Sequence, residues 1–320
     1  MKMSSPIIAS WQPWLMAISL AIFGVGLLRA EPVVPGTGTK LPQVGDDFED
    51  EAWEYIYNNP KSTRENDGQD RYPAGESKNG RWYEGMKRGQ PDVIKRVPTP
   101  KGGLAGSQGS LLLQSLHTGI PGYPSRRMQQ DDFIADVSYK LGGSIPVSRS
   151  PNAVVRVFLP PVASWEKRTG PHFAFRLAVD TTKLKPNSKG LRFSGTHQEN
   201  ETYWPGMFIE FENKADAKES DYAYLRIRAN QQGGDFRGPQ ITTTGWWTLG
   251  LSCSPDGMVH FYAKPGIEDL TKKDYITSQY SYGYRCERFS TFFFNVCNGD
   301  DGRTWSTAFI IDDPAVYVVR

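Results

Sequence analysis

The sequence predicts an all-β protein, a two-sheet antiparallel sandwich, and three observations carry that prediction. Apolar and polar residues alternate with period two in segment after segment. Thirty-two glycines and 23 prolines supply the turns that short strands need. No stretch keeps a helical period long enough to place a helix between the strands. With 38% hydrophobic and 12% aromatic residues the chain is too apolar to be disordered. Its 320 residues suit one large β domain.

The chain begins with a segment of a different kind. Lys2 is the first charge, and an uncharged, mainly apolar run from Leu15 to Leu28 precedes Arg29 and Ala30. That run is shorter than the roughly 20 residues that span a bilayer and fits the core of an export signal. Residues 1–30 are therefore expected to be a signal peptide cleaved after Ala30, which places the protein in the secreted, periplasmic or cell-envelope space. An uncleaved membrane anchor is the alternative, because Trp11 and Trp14 lengthen the leading region and Leu28 stands where a small residue is preferred. Without Lys2 and Arg29, 35 basic residues face 35 acidic ones. A neutral chain has no global field for nucleic acid or anionic lipid, so both are set aside as partners.

Residues 31–45 are rich in Pro and Gly and read as a tether, which leaves 46–320 for the folded domain. Polar, turn-rich spans at 58–80 and 98–109 read as surface loops. The second, Pro98 to Gly109, has the glycines of a phosphate cradle but lacks the following Gly-Lys-Ser/Thr. Strand-like segments follow at 110–116, 133–139, 153–159, 172–180, 207–213, 222–229, 246–252, 258–263, 291–297 and 308–319. Phe173, Phe175, Leu177 and Val179 should share one face, and His172, Ala174, Arg176, Ala178 and Asp180 the other. Ala223, Leu225, Ile227 and Ala229 likewise oppose Tyr222, Tyr224, Arg226 and Arg228. Such half-apolar strands are antiparallel; parallel strands would be apolar on both faces. Ser254-Pro255-Asp256-Gly257 suits a type I turn joining the strands on either side.

Cys253, Cys286 and Cys297 all lie late in the chain. In an oxidising compartment two of them could pair, with Cys286 and Cys297 flanking a segment able to fold back; three buried thiols are the alternative. His117, His172, His197 and His260 are scattered and form no local zinc pattern.

The Trp246–Ala263 hairpin resembles a segment of laminin-G-like and other concanavalin A-like jelly rolls. Asp46-Asp47-Phe48-Glu49-Asp50 with Trp53 resembles the opening strand of those domains, and Gly109–Leu113 their second. Phe309–Val318, containing Ile311-Asp312-Asp313 and Val316-Tyr317, resembles their closing strand. The resemblance covers about a fifth of the chain and leaves residues 140–240 unaligned. It implies a jelly roll with a structural calcium between the first and last strands, for which Asp47, Glu49 and Asp312 supply hard oxygen ligands. Two solvated acidic turns are the alternative.

Glu210 and Glu212 stand two apart on one strand, hence on one face about 7 Å apart, a spacing at which paired carboxylates can work. Glucanases of the resembling superfamily space such residues four or five apart, so glycosidase chemistry fits poorly. Arg226 and Arg228 on the next strand are able to neutralise both glutamates. The functional alternative is a polar face of Arg156, His172, Arg176, Tyr224, Arg226 and Arg228 that binds glycan, with guanidinium groups meeting uronate carboxylates and the indole of Trp204, or of Trp246 or Trp247, stacking on a ring. Of Trp246 and Trp247 one must face the core. A lyase would use Arg176 or Arg226 as cation, His172 as base and Tyr224 or Tyr262 as acid. Gln240-Ile241-Thr242 and Tyr262-Ala263-Lys264-Pro265-Gly266 resemble alginate-lyase motifs, yet Thr242 replaces the expected His. No Gly-x-Ser-x-Gly elbow, His-Glu-x-x-His or nucleotide fingerprint occurs. Asn200-Glu201-Thr202 is a glycosylation sequon. The expectation is a secreted, non-catalytic glycan-binding jelly roll; a polysaccharide lyase or glycoside hydrolase, and a structural surface module, are the alternatives.

Overall fold

The alternating segments pair into two antiparallel sheets in the computed structural model, which describes residues 30–59, 61, 64, 68, 72–116, 128–186, 195–216, 220–230, 232 and 234–319. Residues 1–29 of the segment read as an export signal, and His117, lie outside those residues. Among the described residues no helix is long and apolar enough to cross a membrane.

In chain order the strands are β1 (Thr39–Gly45), β2 (Tyr55–Ile56), β3 (Glu76–Ser77), β4 (Trp82–Glu84), β5 (Val93–Pro98), β6 (Gly109–Gln114) and β7 (Gln129–Ala135). They continue as β8 (Ile145–Pro146), β9 (Asn152–Leu159), β10 (Gly170–Pro186), β11 (Thr196–Tyr203), β12 (Gly206–Glu212) and β13 (Tyr222–Arg228). The last are β14 (Asp235–Ile241), β15 (Gly245–Cys253), β16 (Val259–Pro265), β17 (Tyr275–Gln279), β18 (Arg288–Asn298) and β19 (Phe309–Val318). Sheet A has eight strands, ordered β17-β16-β15-β9-β19-β6-β5 with β1 beside β19. Sheet B has eleven, ordered β14-β13-β12-β10-β18-β7-β4-β3-β2, with β11 on β10 and β8 on β18. The sandwich expected from the alternation is therefore the architecture that forms.

Between the sheets lies an aromatic core. The Trp82 and Phe133 rings stack at 4.5 Å, and Phe173 stacks on Phe309 at 4.9 Å. Phe175 and Phe294 add a further stack. Each such ring, fully buried, contributes about 2–3 kcal/mol of burial free energy. The expected parity holds along β13, where Ala223, Leu225 and Ile227 enter the core.

The N-terminal region differs from its sequence reading. The supposed tether carries β1, which pairs with β19, and its earlier part is pinned by Gly36 N–H to Asn152 Oδ1 at 2.8 Å. Residues 46–50, read as an opening strand, are instead a connection outside any strand. There Asp46 accepts the indole N–H of Trp53 at 3.0 Å and of Trp82 at 3.2 Å. The segment read as a strand over 133–139 ends at Ala135. A short helix, α1 (Val137–Leu141), follows and is closed by left-handed Gly142.

Candidate functional site

The outer face of sheet B carries a basin of about 380 Å³. Its floor and walls come from β7, β10, β13 and β18, the Gly85–Arg88 turn, Trp204 and Tyr282. Arg176 lies at its centre because β12 begins with glycine. A Cβ on Gly206 would come within 2.4 Å of Arg176 Cγ, so any larger residue would push the arginine off the sheet. A second close approach is made by Gly85, whose Cβ would meet that of Asp132 at 2.6 Å.

The Arg176 guanidinium donates from Nε and Nη2 to the Trp204 carbonyl, at 3.3 and 2.7 Å, and from Nη1 to Asn295 Oδ1 at 3.2 Å. Those bonds leave N–H capacity on both Nη atoms. Burial lowers its pKa to about 10, so it stays cationic at neutral pH. The Phe208 ring sits amid three guanidinium carbons, with Arg176 at 5.3 Å, Arg226 at 5.1 Å and Arg228 at 4.9 Å. Arg228 is held by a two-pronged contact to Asp235, at 2.8 and 2.9 Å, and this hydrogen bonding raises its pKa. Arg88 donates to Gln130 Oε1 at 2.7 Å, and Asp132 accepts from Asn295. Thus Lys87, Arg88, Arg176 and Arg228 face a basin whose lining, among the described residues, holds one carboxylate, Asp132. Trp204 stands at the rim with 43% of its surface exposed.

Of the residues expected at a binding face, Arg176, Arg228 and Trp204 come together here. Arg226 and Tyr224 share the face without lining the basin. Arg226 is tied to Glu210 at 2.9 Å and to Asp235 at 3.1 Å, and the Arg237 guanidinium lies 4.5 Å from the Tyr224 ring. Glu210 is almost buried; burial raises its pKa and Arg226 pulls it back. The Glu210–Glu212 pair therefore does not form an open catalytic couple: its first member is charge-paired to Arg226, and neither lines the basin.

Four expected site residues lie elsewhere. His172 was placed with Arg176 by strict alternation, but a bulge intervenes between Pro171 and Phe173. Such an extra residue turns two neighbours toward one side of a sheet. The His172 ring enters the core, 5.6 Å from Trp165 and 5.4 Å from Phe211. It shares a hydrogen bond with Thr307 Oγ1 at 2.7 Å and contacts the Arg168 carbonyl at 2.9 Å. Burial depresses its pKa to about 3, and the buried ring does not line the basin. Arg156, Trp246 and Tyr262 belong to the other sheet. Arg156 pairs with Asp269 at 2.6 Å. Trp246 donates to the Pro100 carbonyl at 3.3 Å beneath the 98–109 loop. Tyr262 is buried in a small cluster with Val154, Leu270 and Ala315.

The expected calcium ligands are committed to other bonds. Glu49 accepts the backbone N–H of Gln108 at 3.0 Å and of Gly109 at 3.3 Å. Asp312 accepts from Ser107 Oγ at 2.9 Å, and burial raises its pKa to about 6. Asp47 accepts the Glu49 N–H at 3.2 Å. Among the described residues no group of three or more His, Cys, Asp or Glu side chains is placed to hold a metal ion. Asp47, Glu49 and Asp312 are thus each engaged in hydrogen bonds within the protein.

Sequence reasoning missed Lys87, Arg88, Asp132, Tyr282, Phe293 and Asn295. One signal was available: Asn295 interrupts the run Phe292-Phe293-Phe294 at the parity of Arg176's face, a polar residue where the outer layer needed one.

No protein-family model and no curated protein match the chain. Solved structures similar to it include lectin II from Ulex europaeus, at 9% identity over 72% of this chain and 100% of that one, TM-score 0.38. The endo-beta-1,4-glucuronan lyase of Trichoderma reesei is 13% identical over 71% of this chain and 90% of its own, TM-score 0.34. The binding domain of Paraclostridial Mosquitocidal Protein 1 is 8% identical over 75% of this chain, with TM-score 0.35. This chain spans 44% of that last structure.

Proposed function

We propose that the basin on sheet B binds an acidic glycan outside the cytoplasm, holding it without chemical change. The carrying observation is the convergence of Lys87, Arg88, Arg176 and Arg228 beside an exposed indole, with Asp132 the single carboxylate of the lining among the described residues. Guanidinium groups meet a uronate carboxylate in a planar two-point contact, and an indole offers an apolar face to a sugar ring. The Asp235 and Asn295 contacts orient two of those guanidinium groups in advance, which lowers the ordering cost of binding.

A second reading, β-elimination on the same chain, has one observation in its favour. Tyr282 brings a hydroxyl to the basin in a left-handed conformation, φ 59°, and strained non-glycine residues gather at functional sites. Its hydroxyl lies 3.5 Å from the Trp204 carbonyl.

The test titrates the protein with oligosaccharides of a uronic acid and, in parallel, with neutral oligosaccharides of equal length, while absorbance follows unsaturated product. Saturable binding of the acidic series with no product supports the proposal. Steady product formation replaces it with the lyase, and silence in both channels discards both.

A further inference from the structure

We propose that Cys253 and Cys286 are joined by a disulfide that staples sheet A to sheet B, while Cys297 stays a thiol. Cys253 closes β15 in sheet A, and Cys286 lies two residues before β18 in sheet B. They are 33 positions apart in sequence, yet their sulfurs stand 3.9 Å from each other. Both belong to the central core between the sheets. A bond needs the sulfurs at about 2.05 Å, so pairing requires them to close from the 3.9 Å at which they stand.

The backbone around Cys286 is already held against the β15–β16 turn. Cys286 N–H donates to the Gly257 carbonyl at 2.9 Å, and Glu287 N–H to the Asp180 carbonyl of β10 at 2.9 Å. The segment thus touches both sheets, and the disulfide would add a covalent link where hydrogen bonds now hold. Four residues upstream on the same segment, Tyr282 reaches the basin, so the staple also limits how far that wall can move.

Cys297 is excluded by its face. It continues the parity of Phe293 and Asn295, away from the core that contains Cys253 and Cys286. The pairing of Cys286 with Cys297, open on sequence grounds, is not the one that the sheets bring together.

The reaction balances by exchange with an external disulfide such as oxidised glutathione. One protein thiolate attacks it to give a mixed disulfide and one free glutathione thiol; the second protein thiolate then displaces the other. Two protein thiols are oxidised, one external disulfide is reduced, and the two protons pass to the released thiols. Both sulfurs are inaccessible in the folded chain, and burial holds the Cys286 thiol well above its usual range. The exchange therefore occurs during folding, before the core closes.

The experiment refolds reduced, full-length protein in a glutathione redox buffer, unfolds it without reductant, and alkylates every free thiol. Peptide mapping is expected to find one alkylated cysteine, Cys297, and one linked pair of peptides containing Cys253 and Cys286. A Cys297→Ala variant should retain the pair. Wild type refolded and melted with reductant present throughout should have a Tm about 5–10 °C below that of the oxidised protein, and Cys253→Ala should show no such difference. Three alkylated cysteines in the refolded protein, or a pair that includes Cys297, would overturn the proposal. Should Cys253→Ala fail to fold, mapping of the wild type and of Cys297→Ala alone decides.

Discussion

The outer faces of the two sheets carry the same kinds of residue and do opposite things with them. On sheet B, Arg176 and Arg228 stand beside Trp204 around an open basin. On sheet A, Arg156, Trp246 and Tyr262 follow the same alternation, yet the loop at 98–109, Asp269 and Tyr275 cover or neutralise all three. Alternation decides which face a side chain takes; the connections decide whether that face meets solvent. A binding surface is thus written partly in its strands and partly in the loops that stay clear of them.

The largest expected effect separates cover from contact. Trp246→Ala removes an indole packed at 5.4 Å on Phe158 and bonded to Pro100. It should cost about 3 kcal/mol of stability in a denaturant titration, with affinity for acidic oligosaccharide unchanged at temperatures where the variant is folded. A loss of affinity as large as that from a basin variant would end the contrast between the faces.

Arg228→Ala reverses the pattern. Asp235 keeps Arg226 as a partner at 3.1 Å, so stability should move by no more than about 1 kcal/mol. Affinity for a uronic-acid oligomer should fall about 10–100-fold, the loss of one charge-assisted two-point contact. Calorimetry and thermal melting on the same sample read both quantities.

His172 tests the space between the faces. Its pKa is depressed from 6.5 to about 3, so on acidification the unfolded chain takes up a proton that the folded chain refuses. The stability that depends on neutral His172 is complete above pH 6.5 and is lost as pH falls toward 3. His172→Gln keeps a neutral group able to reach Thr307 and removes the titration. The wild-type advantage over that variant should shrink by about 1.4 kcal/mol per pH unit below 6.5. A constant difference across that range would place the ring in water rather than in the core.

How much of this was legible follows from where each signal resides. The parity of β13 and of most of β10 was readable, because period-two patterning is local. His172 broke the pattern through one extra residue in β10, which only pairing with β12 reveals. One member of the Trp246–Trp247 pair was correctly expected in the core, and it is Trp247. That the 98–109 loop folds over the other could not be read, since loop paths depend on long-range contacts. Lys87, Arg88 and Asp132 escaped notice for the same reason: a turn after β4 meets β7 through a bond from Asp132 N–H to the Gly89 carbonyl at 2.9 Å. The Glu210–Arg226 pair was readable from the β12–β13 hairpin, because Phe208 faces Arg226 and the glutamate is its diagonal neighbour.

The smallest expected effect compares two aspartates that each hold an arginine. Asp269 reaches Arg156 at 2.6 Å, but its own side chain is 92% exposed. Asp313 stands by at 3.5 Å, and the Ile267 carbonyl accepts from Nε at 3.2 Å. Asp269→Asn should therefore change stability by less than about 1 kcal/mol, because solvent screens an exposed carboxylate and the arginine keeps other acceptors. Asp235 is 16% exposed and serves both Arg226 and Arg228. Asp235→Asn should cost more stability than Asp269→Asn while tightening the binding of acidic oligosaccharide, since the freed guanidinium charge is no longer shared with a carboxylate. Equal stability losses would end the contrast in burial between the two aspartates, and weaker binding from Asp235→Asn would show that orientation of Arg228 matters more to the basin than its available charge.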